Sequence, residues 1–331
     1  MSNRFPGGVV RKNQLVPTTS SASGMWTIGQ ATQATKSDIW PYSNIAMPIS
    51  QSLRFRASAS AYLQRTPGST ATSSQKWTWS GWVKRGTLGA SSYFHFLCSG
   101  TTYARFEGDQ IYCNFRNGAT NYFLGTNAVY RDPSSWYHIV LAVDTTQGTA
   151  SNRAKIYVNG VQQDGFNGSS FSSSQQFWIN YTYGHRIGSR QLASADSFSE
   201  QYLTEVNFID GQALTPSSFG ETSSTTGVWQ PKKYSGTYGT NGFYLPFTDN
   251  SALTSGSNAG LGKDFSGNGN YWNTNNISIT SGSTYDSMTD VPTLTDASTA
   301  NYCVLNPLNK GTNQTLTNGN LTNTASGHGT V

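Results

Sequence analysis

Cysteine is nearly missing from this sequence: among 331 residues there are three, Cys98, Cys113 and Cys303. An odd number with no Cys-x-x-Cys spacing offers neither a disulfide framework nor a zinc site, and it fits folding in a reducing compartment. Cys98 and Cys113 could face each other across a hairpin, although small buried residues are the simpler reading of both. Charge is also scarce. Asp, Glu, Lys and Arg make up 11% of the chain, against roughly 25% in ordinary soluble domains. Lys and Arg number 21 against 16 Asp and Glu, for a net charge of +5. The basic residues are scattered, which excludes a nucleic-acid footprint and leaves only a diffuse preference for acidic partner surfaces. No apolar stretch approaches the roughly 18 residues of a membrane span, so membrane insertion is not expected. Met1 to Gly8 lacks the apolar segment and cleavage site of a secretory leader. If the protein works outside a cell, it is expected to leave by another route.

What is present is Ser, Thr, Asn, Gly and Gln, with aromatics at 13%. One run from Leu53 to Glu221 reads as a single β-sandwich. In Trp77 to Val83, positions 77, 79, 81 and 83 fall on one face and Thr78, Ser80 and Trp82 on the other. Ile139 to Val143 is continuously apolar, as a central strand covered on both sides requires. Ile156 and Val158 alternate with Lys155 and Tyr157, and Asn159-Gly160 supplies the positive φ angles of a tight hairpin turn. Leu203 and Val206 break alternation, so a bulge is expected between them. Leu214 to Gly220 supports one short helical turn. Residues 1–50 are expected as an extended anchoring arm, residues 51–250 as the sandwich, and residues 251–331 as an Asn/Gly/Ser/Thr-rich extension, disordered or held by a partner surface.

The segments Trp77-Thr78-Trp79-Ser80-Gly81-Trp82-Val83, Trp136-Tyr137-His138-Ile139-Val140 and Lys155-Ile156-Tyr157-Val158-Asn159-Gly160, followed by His185-Arg186-Ile187-Gly188 and Leu203 to Phe208, resemble the laminin-G-like, concanavalin-A-like superfamily. The resemblance implies an all-β jelly-roll sandwich. Phe219-Gly220-Glu221, Trp229 to Tyr234, Asn241 to Leu245, Gly262 to Asn270 and Asn301 to Pro307 resemble a group of such domains in tailed-bacteriophage virion proteins. That likeness, spanning roughly residues 50 to 320, implies a fibre, appendage or decoration component. Related proteins often continue into a further β domain beyond the stretch seen here as Asn318-Gly319-Asn320-Leu321. Such a domain is expected to be absent here or to lie outside the sequence.

Little looks like catalytic machinery. Glucanases of this fold need a Glu-x-Asp-x-Glu strand to hold two carboxylates on one face, and Glu107-Gly108-Asp109-Gln110-Ile111 lacks the second Glu. Gly-x-Ser-x-Gly is absent. Of the histidines, His95, His138, His185 and His328, His138 and His185 match positions where the family places structural side chains. No enzyme and no cofactor are expected, calcium being the one plausible ion: Asp249, Asn250, Asp264, Asn268 and Asn270 offer oxygens from two loops, while the same residues also stabilise turns through their own backbone. Tyr103, Tyr122, Phe123, Trp178, Tyr181 and Tyr183 lie near Asn-bearing loops and are candidate sugar platforms, although most aromatics must fill the core. Trp26 and Trp40 mark candidate docking points to a partner, or packing onto the chain's own sandwich.

The leading expectation is a non-enzymatic bacteriophage virion structural protein, assembled in the host cytoplasm with other virion proteins and as a homo-oligomer, with a trimer favoured. The alternative is a glycan-binding, lectin-like module reading host-surface sugars. A polysaccharide depolymerase ranks third.

Overall fold

The computed structural model describes residues 27–37, 47–89, 92–97, 102–163, 171–190, 197–224, 226–296 and 298–326. In chain order the strands begin with β1 (Ser52–Phe55), β2 (Tyr62–Arg65), β3 (Lys76–Arg85), β4 (Ser92–Leu97), β5 (Tyr103–Glu107), β6 (Gln110–Asn117) and β7 (Thr120–Gly125). Next come β8 (Trp136–Asp144), β9 (Ala154–Val158), β10 (Val161–Gln162), β11 (His185–Ile187), β12 (Ser189–Arg190), β13 (Ser197–Phe198) and β14 (Gln201–Asp210). The last third adds β15 (Gly220–Thr222), β16 (Trp229–Pro231), β17 (Phe243–Leu245), β18 (Asn273–Asn275), β19 (Ser287–Met288), β20 (Gln314–Thr317) and β21 (Thr322–Ala325).

Two antiparallel sheets form the predicted jelly-roll sandwich. One runs β10-β9-β8-β3-β14-β1-β19, with β17 also paired to β14; the other runs β18-β2-β11-β4-β5-β6-β7. Alternation along β3 sends Trp77, Trp79 and Val83 inward, where Trp77 meets Phe115 at 5.5 Å and Trp79 meets Phe94 at 5.1 Å between ring centroids. Each such side chain contributes about 1.5–3 kcal/mol by leaving water.

The outward positions of β3 are buried too. Thr78 bonds the main chain at Gln212 and Leu214, and Ser80 bonds His138. Trp82 packs with Ile49, Trp136, Tyr202 and Val291, and Lys84 reaches Asp290 at 2.7 Å. Later parts of the chain therefore cover the back of the first sheet. The expected hairpin turn is present, with Asn159 and Gly160 at φ 48° and 81° joining Val158 to Val161. The expected bulge falls between Thr204 and Asn207, with Glu205 at φ 53°. The short helical turn is Pro216–Ser218.

Two regions depart from expectation. Within the segment expected to be extended, helix α1 spans Ile28–Lys36. Its start is a reciprocal cap, the Gln30 amide N–H donating to Thr27 Oγ1 and the Thr27 N–H to Gln30 Oε1, a Thr-x-x-Gln pattern that the composition of the arm obscured. Trp26, Trp40 and Cys98 lie outside the described residues.

The C-terminal extension is held by the chain's own sandwich. Strands β18 and β19 join opposite sheets, so a boundary at residue 250 cuts through the fold. Asp286, fully buried, accepts from Arg54 Nε at 3.3 Å and from Arg56 Nε at 2.7 Å. Asp290 accepts from Lys84 and from Trp136 Nε1 at 3.1 Å. The turn between β20 and β21 is a plug: Asn318, Gly319 and Asn320 are all left-handed, at φ 55°, 68° and 64°. Arg54 donates to the Asn318 carbonyl and Tyr202 to the Gly319 carbonyl, while the Gly319 N–H bonds Glu200. A Cβ at Gly319 would lie 2.1 Å from the Tyr202 hydroxyl oxygen, so glycine is required there.

Candidate functional site

The second sheet ends in an open polar cleft of about 550 Å³ where β18 lies along β2. Pairing sets Asn273 beside Gln64 and Asn275 beside Tyr62. Gln64, Arg65, Asn270, Tyr271, Asn273 and Asn275 line the cleft, with hydroxyls from Thr66 and Ser255, and no Asp or Glu lines it. The Gln64 amide bonds nothing among the described residues. Asn273 Oδ1 accepts from the Gly256 N–H at 2.8 Å and from Ser255 Oγ at 3.4 Å.

This edge exists because Trp272 is driven inward. It is 2% exposed, edge-on to Phe243 at 5.0 Å, and its main chain crosses Gly262 so closely that a Cβ there would lie 1.7 Å from the Trp272 carbonyl oxygen. With Trp272 inward, alternation turns Tyr271 and Asn273 outward.

The loop before it is built on Asp264. That carboxylate accepts from the N–H groups of Tyr244, Ser266 and Asn270 at 2.9, 2.8 and 2.7 Å, and from Ser266 Oγ at 2.8 Å. Asn268 Nδ2 donates to the carbonyls of Gly239 and Gly242, and Asn270 Nδ2 to those of Thr240 and Gly242. Asp249 pairs with Lys263 at 3.1 Å. Asp249, Asp264, Asn268 and Asn270, four of the residues considered for calcium, are thus engaged with groups of the chain itself, and among the described residues no three His, Cys, Asp or Glu side chains are grouped to hold a metal.

Arg65 closes the cleft floor. One N–H of its guanidinium reaches Asn270 Oδ1 at 2.5 Å and another the Asn241 carbonyl at 3.5 Å. Burial pushes its pKa down to about 10, with Asp264 pulling weakly the other way.

The sequence-level candidates divide. Tyr181 and Tyr183 are 45% and 42% exposed and stack at 5.4 Å, Trp178 stands edge-on to Tyr183 at 5.8 Å, and Arg116 lies 5.3 Å over the Trp178 ring. Their segment enters β11 at His185, which pairs with Arg65, so this aromatic group sits at the end of the sheet where β2 leaves for the cleft rim. Tyr122 points instead into the core, against Phe171 and Phe177, with its hydroxyl on Gln175. Tyr103 is 8% exposed beneath Arg105 and Arg190. Neither offers a free ring face. Of the cleft residues only Asn270 was singled out, as an oxygen for calcium; Gln64, Arg65, Tyr271, Asn273 and Asn275 were missed. The signal available was the run Tyr271-Trp272-Asn273-Thr274-Asn275, with polar residues alternating around a buried Trp.

The acids and bases considered for catalysis are occupied. Glu107 pairs with Arg105 at 2.5 Å. Asp109 sits in the β5–β6 turn with Arg85 and Arg131, each at 2.9 Å. Burial opposes its ionisation, but the Gly89 N–H and the two arginines hold it below the usual carboxylate range. His138 stacks between Trp82 and Trp229 at 5.0 and 5.9 Å. The Trp229 indole donates to its Nδ1, so its Nε2 carries the proton toward Ser80, and burial pushes its pKa down to about 3. A neutral, buried histidine with no acid behind it does not activate that serine.

A family model described as the concanavalin A-like lectin/glucanases superfamily matches residues 57–218. No curated protein matches by sequence. Among solved structures, a Bacteroides ovatus protein described as a candidate carbohydrate binding protein is similar over 69% of this chain and 59% of its own, at 16% identity and TM-score 0.47. This chain therefore spans less than two thirds of that relative. A heptameric SAP-like pentraxin from Limulus polyphemus is similar over 52% of this chain and 76% of its own, at 16% identity and TM-score 0.35. A sialidase mutant of Trypanosoma rangeli is similar over 44% and 22%, at 16% identity and TM-score 0.31. By the family match over residues 57–218 and the two-sheet topology together, the fold of this chain is an all-β, concanavalin A-like jelly-roll sandwich.

Proposed function

We propose that this chain is a non-enzymatic glycan-binding module whose site is the cleft between β2 and β18. The observation that carries this reading is the cleft's lining: four amides, Gln64, Asn270, Asn273 and Asn275, beside the Tyr271 ring in about 550 Å³ of open space. Amides donate and accept at once, as pairs of sugar hydroxyls require, and an aromatic ring offers a face for the sugar's C–H surface. The volume suits a small ligand. The Asp264 hydrogen bonds fix the loop beforehand, which reduces the ordering cost of binding. The engaged state of Glu107, Asp109 and His138 supports the absence of catalysis.

A glycan array tests it. The folded chain is expected to bind at least one oligosaccharide class, and Asn273→Ala and Tyr271→Ala are each expected to weaken that binding about tenfold, the loss of roughly one good hydrogen bond or stacking contact, with unchanged melting temperature. No binding across the array by folded protein would count decisively against the proposal.

A second reading keeps the module as an assembly part of a tailed-phage virion. It is favoured by Tyr302, Leu305, Leu308 and Leu321, exposed by 41%, 46%, 62% and 46% along the C-terminal segment, an apolar series suited to a neighbouring subunit. Sedimentation of the purified chain is expected to give a trimer on this reading, and a monomer at all concentrations would remove it.

A further inference from the structure

The cleft carries a charge that its own walls do not neutralise. Arg65 lines it, no Asp or Glu does, and among the described residues no carboxylate lies within 4 Å of the guanidinium, whose hydrogen bonds go to neutral oxygens, Asn270 Oδ1 and the Asn241 carbonyl. Asp264, the nearest influence of opposite sign, already accepts from Tyr244, Ser266 and Asn270. A guanidinium carries five N–H donors; Arg65 uses two of them in its bonds to Asn270 and Asn241 while lining an open polar cleft, and its planar fork matches an oxyanion with two oxygens. Other buried cations of this chain have found partners: Arg54 and Arg56 share Asp286, Lys84 has Asp290, and Arg85 has Asp109. Arg65 has no such carboxylate partner among the described residues, and it lines the cleft. A wholly neutral ligand would bury that charge further without compensation.

We propose that the cleft selects acidic glycans, with a sugar carboxylate or sulfate held by the Arg65 guanidinium while Gln64, Asn273 and Asn275 take the hydroxyls. This rests on the glycan-binding reading above and adds a ligand class to it. The aromatic pair Tyr181–Tyr183 at the same end of the sheet is available to further sugar units.

Matched ligands on the unaltered full chain test it by calorimetry: oligogalacturonate against its methyl ester for the carboxylate, and carrageenan oligosaccharides against the same oligosaccharides after desulfation for the sulfate. The charged member of at least one pair is expected to bind at least tenfold more tightly, and the pair that shows this identifies the oxyanion. Arg65→Gln should abolish the preference, bringing the two members of the pair to similar affinity. Arg65→Lys should retain part of it, because the charge remains and the fork does not. Equal affinity for both members of each pair, weakened in both by Asn273→Ala, would overturn the acidic preference and leave the glycan site standing. Absence of binding to all four ligands and to the array would overturn both. The wild-type comparison needs no substitution, so a poorly folding variant does not weaken it.

Discussion

Replacing Asp286 with Ala is expected to destabilise the fold by about 3–5 kcal/mol, the range for removing one partner of a buried ion pair. Asp286 is wholly buried and holds two arginines at once, Arg54 and Arg56, which are 2% and 7% exposed. It also accepts the Ser278 N–H at 2.8 Å, while its carbonyl accepts the Arg54 N–H. Without the carboxylate, two guanidiniums are left beside each other with no hydrogen-bonded counter-ion, Glu200 acting on them only through its charge, and Arg54 keeps only the carbonyls of Ser283, Tyr285 and Asn318. A chain of this size should lose on the order of 10 °C in melting temperature. Asp286→Asn, which keeps the shape and part of the hydrogen bonding, should cost less. Denaturation of both variants checks this, together with proteolysis, which should now enter the segment after residue 286. A loss under 1 kcal/mol would mean that the extension is held by something other than its buried charges.

The second large effect is a pH dependence set by Glu205. This residue occupies the β14 bulge at φ 53° and is 8% exposed. Burial pushes its carboxyl pKa up to about 7 from the ordinary 4.5, against the opposing hydrogen bond from the Tyr244 hydroxyl at 2.6 Å and the distant Lys233 charge. A carboxyl whose pKa is raised on folding stabilises the protein fully below the unfolded value, and that stability is lost as pH rises through the folded value. The window is therefore about pH 4.5 to 7, and the loss is about 3 kcal/mol in order of magnitude. Glu205→Gln, which stays neutral and still accepts from Tyr244, is expected to unfold at higher denaturant than the parent at pH 8 and at similar denaturant at pH 4.5. Equal midpoints at both pH values would show that Glu205 is ionised at little cost.

Much of the sandwich was readable because its strands announce themselves locally. Trp77 to Val83 alternates, Ile139 to Val143 is apolar throughout, and Asn159-Gly160 can hardly do anything else between two such segments. The break of period at Leu203 and Val206 located the bulge, though not the buried carboxylate within it. The extension was misread for a physical reason: its Asn, Gly, Ser and Thr residues resemble a disordered tail, whereas their side chains bond their own turns and the order comes from Arg54, Arg56 and Lys84, far away in the sequence. Nothing local in Asp286 or Asp290 marks them as partners of β1 and β3. The cleft was hidden in the same way. Gln64 and Asn273 meet only when β18 adds to the edge of β2, and Asn268 and Asp264, which sequence reasoning did single out, shape the wall without lining it. The exposed aromatic group was partly visible as Trp178, Tyr181 and Tyr183, but composition alone does not separate them from Tyr122, whose ring faces the core.

A crystal structure of the full chain with its tightest-binding oligosaccharide tests the glycan-site proposal most directly. The sugar is expected between β2 and β18, with hydroxyls on Gln64, Asn273 or Asn275, a ring face on Tyr271 and an oxyanion at Arg65. A sugar bound elsewhere, with the cleft holding only solvent, would contradict it.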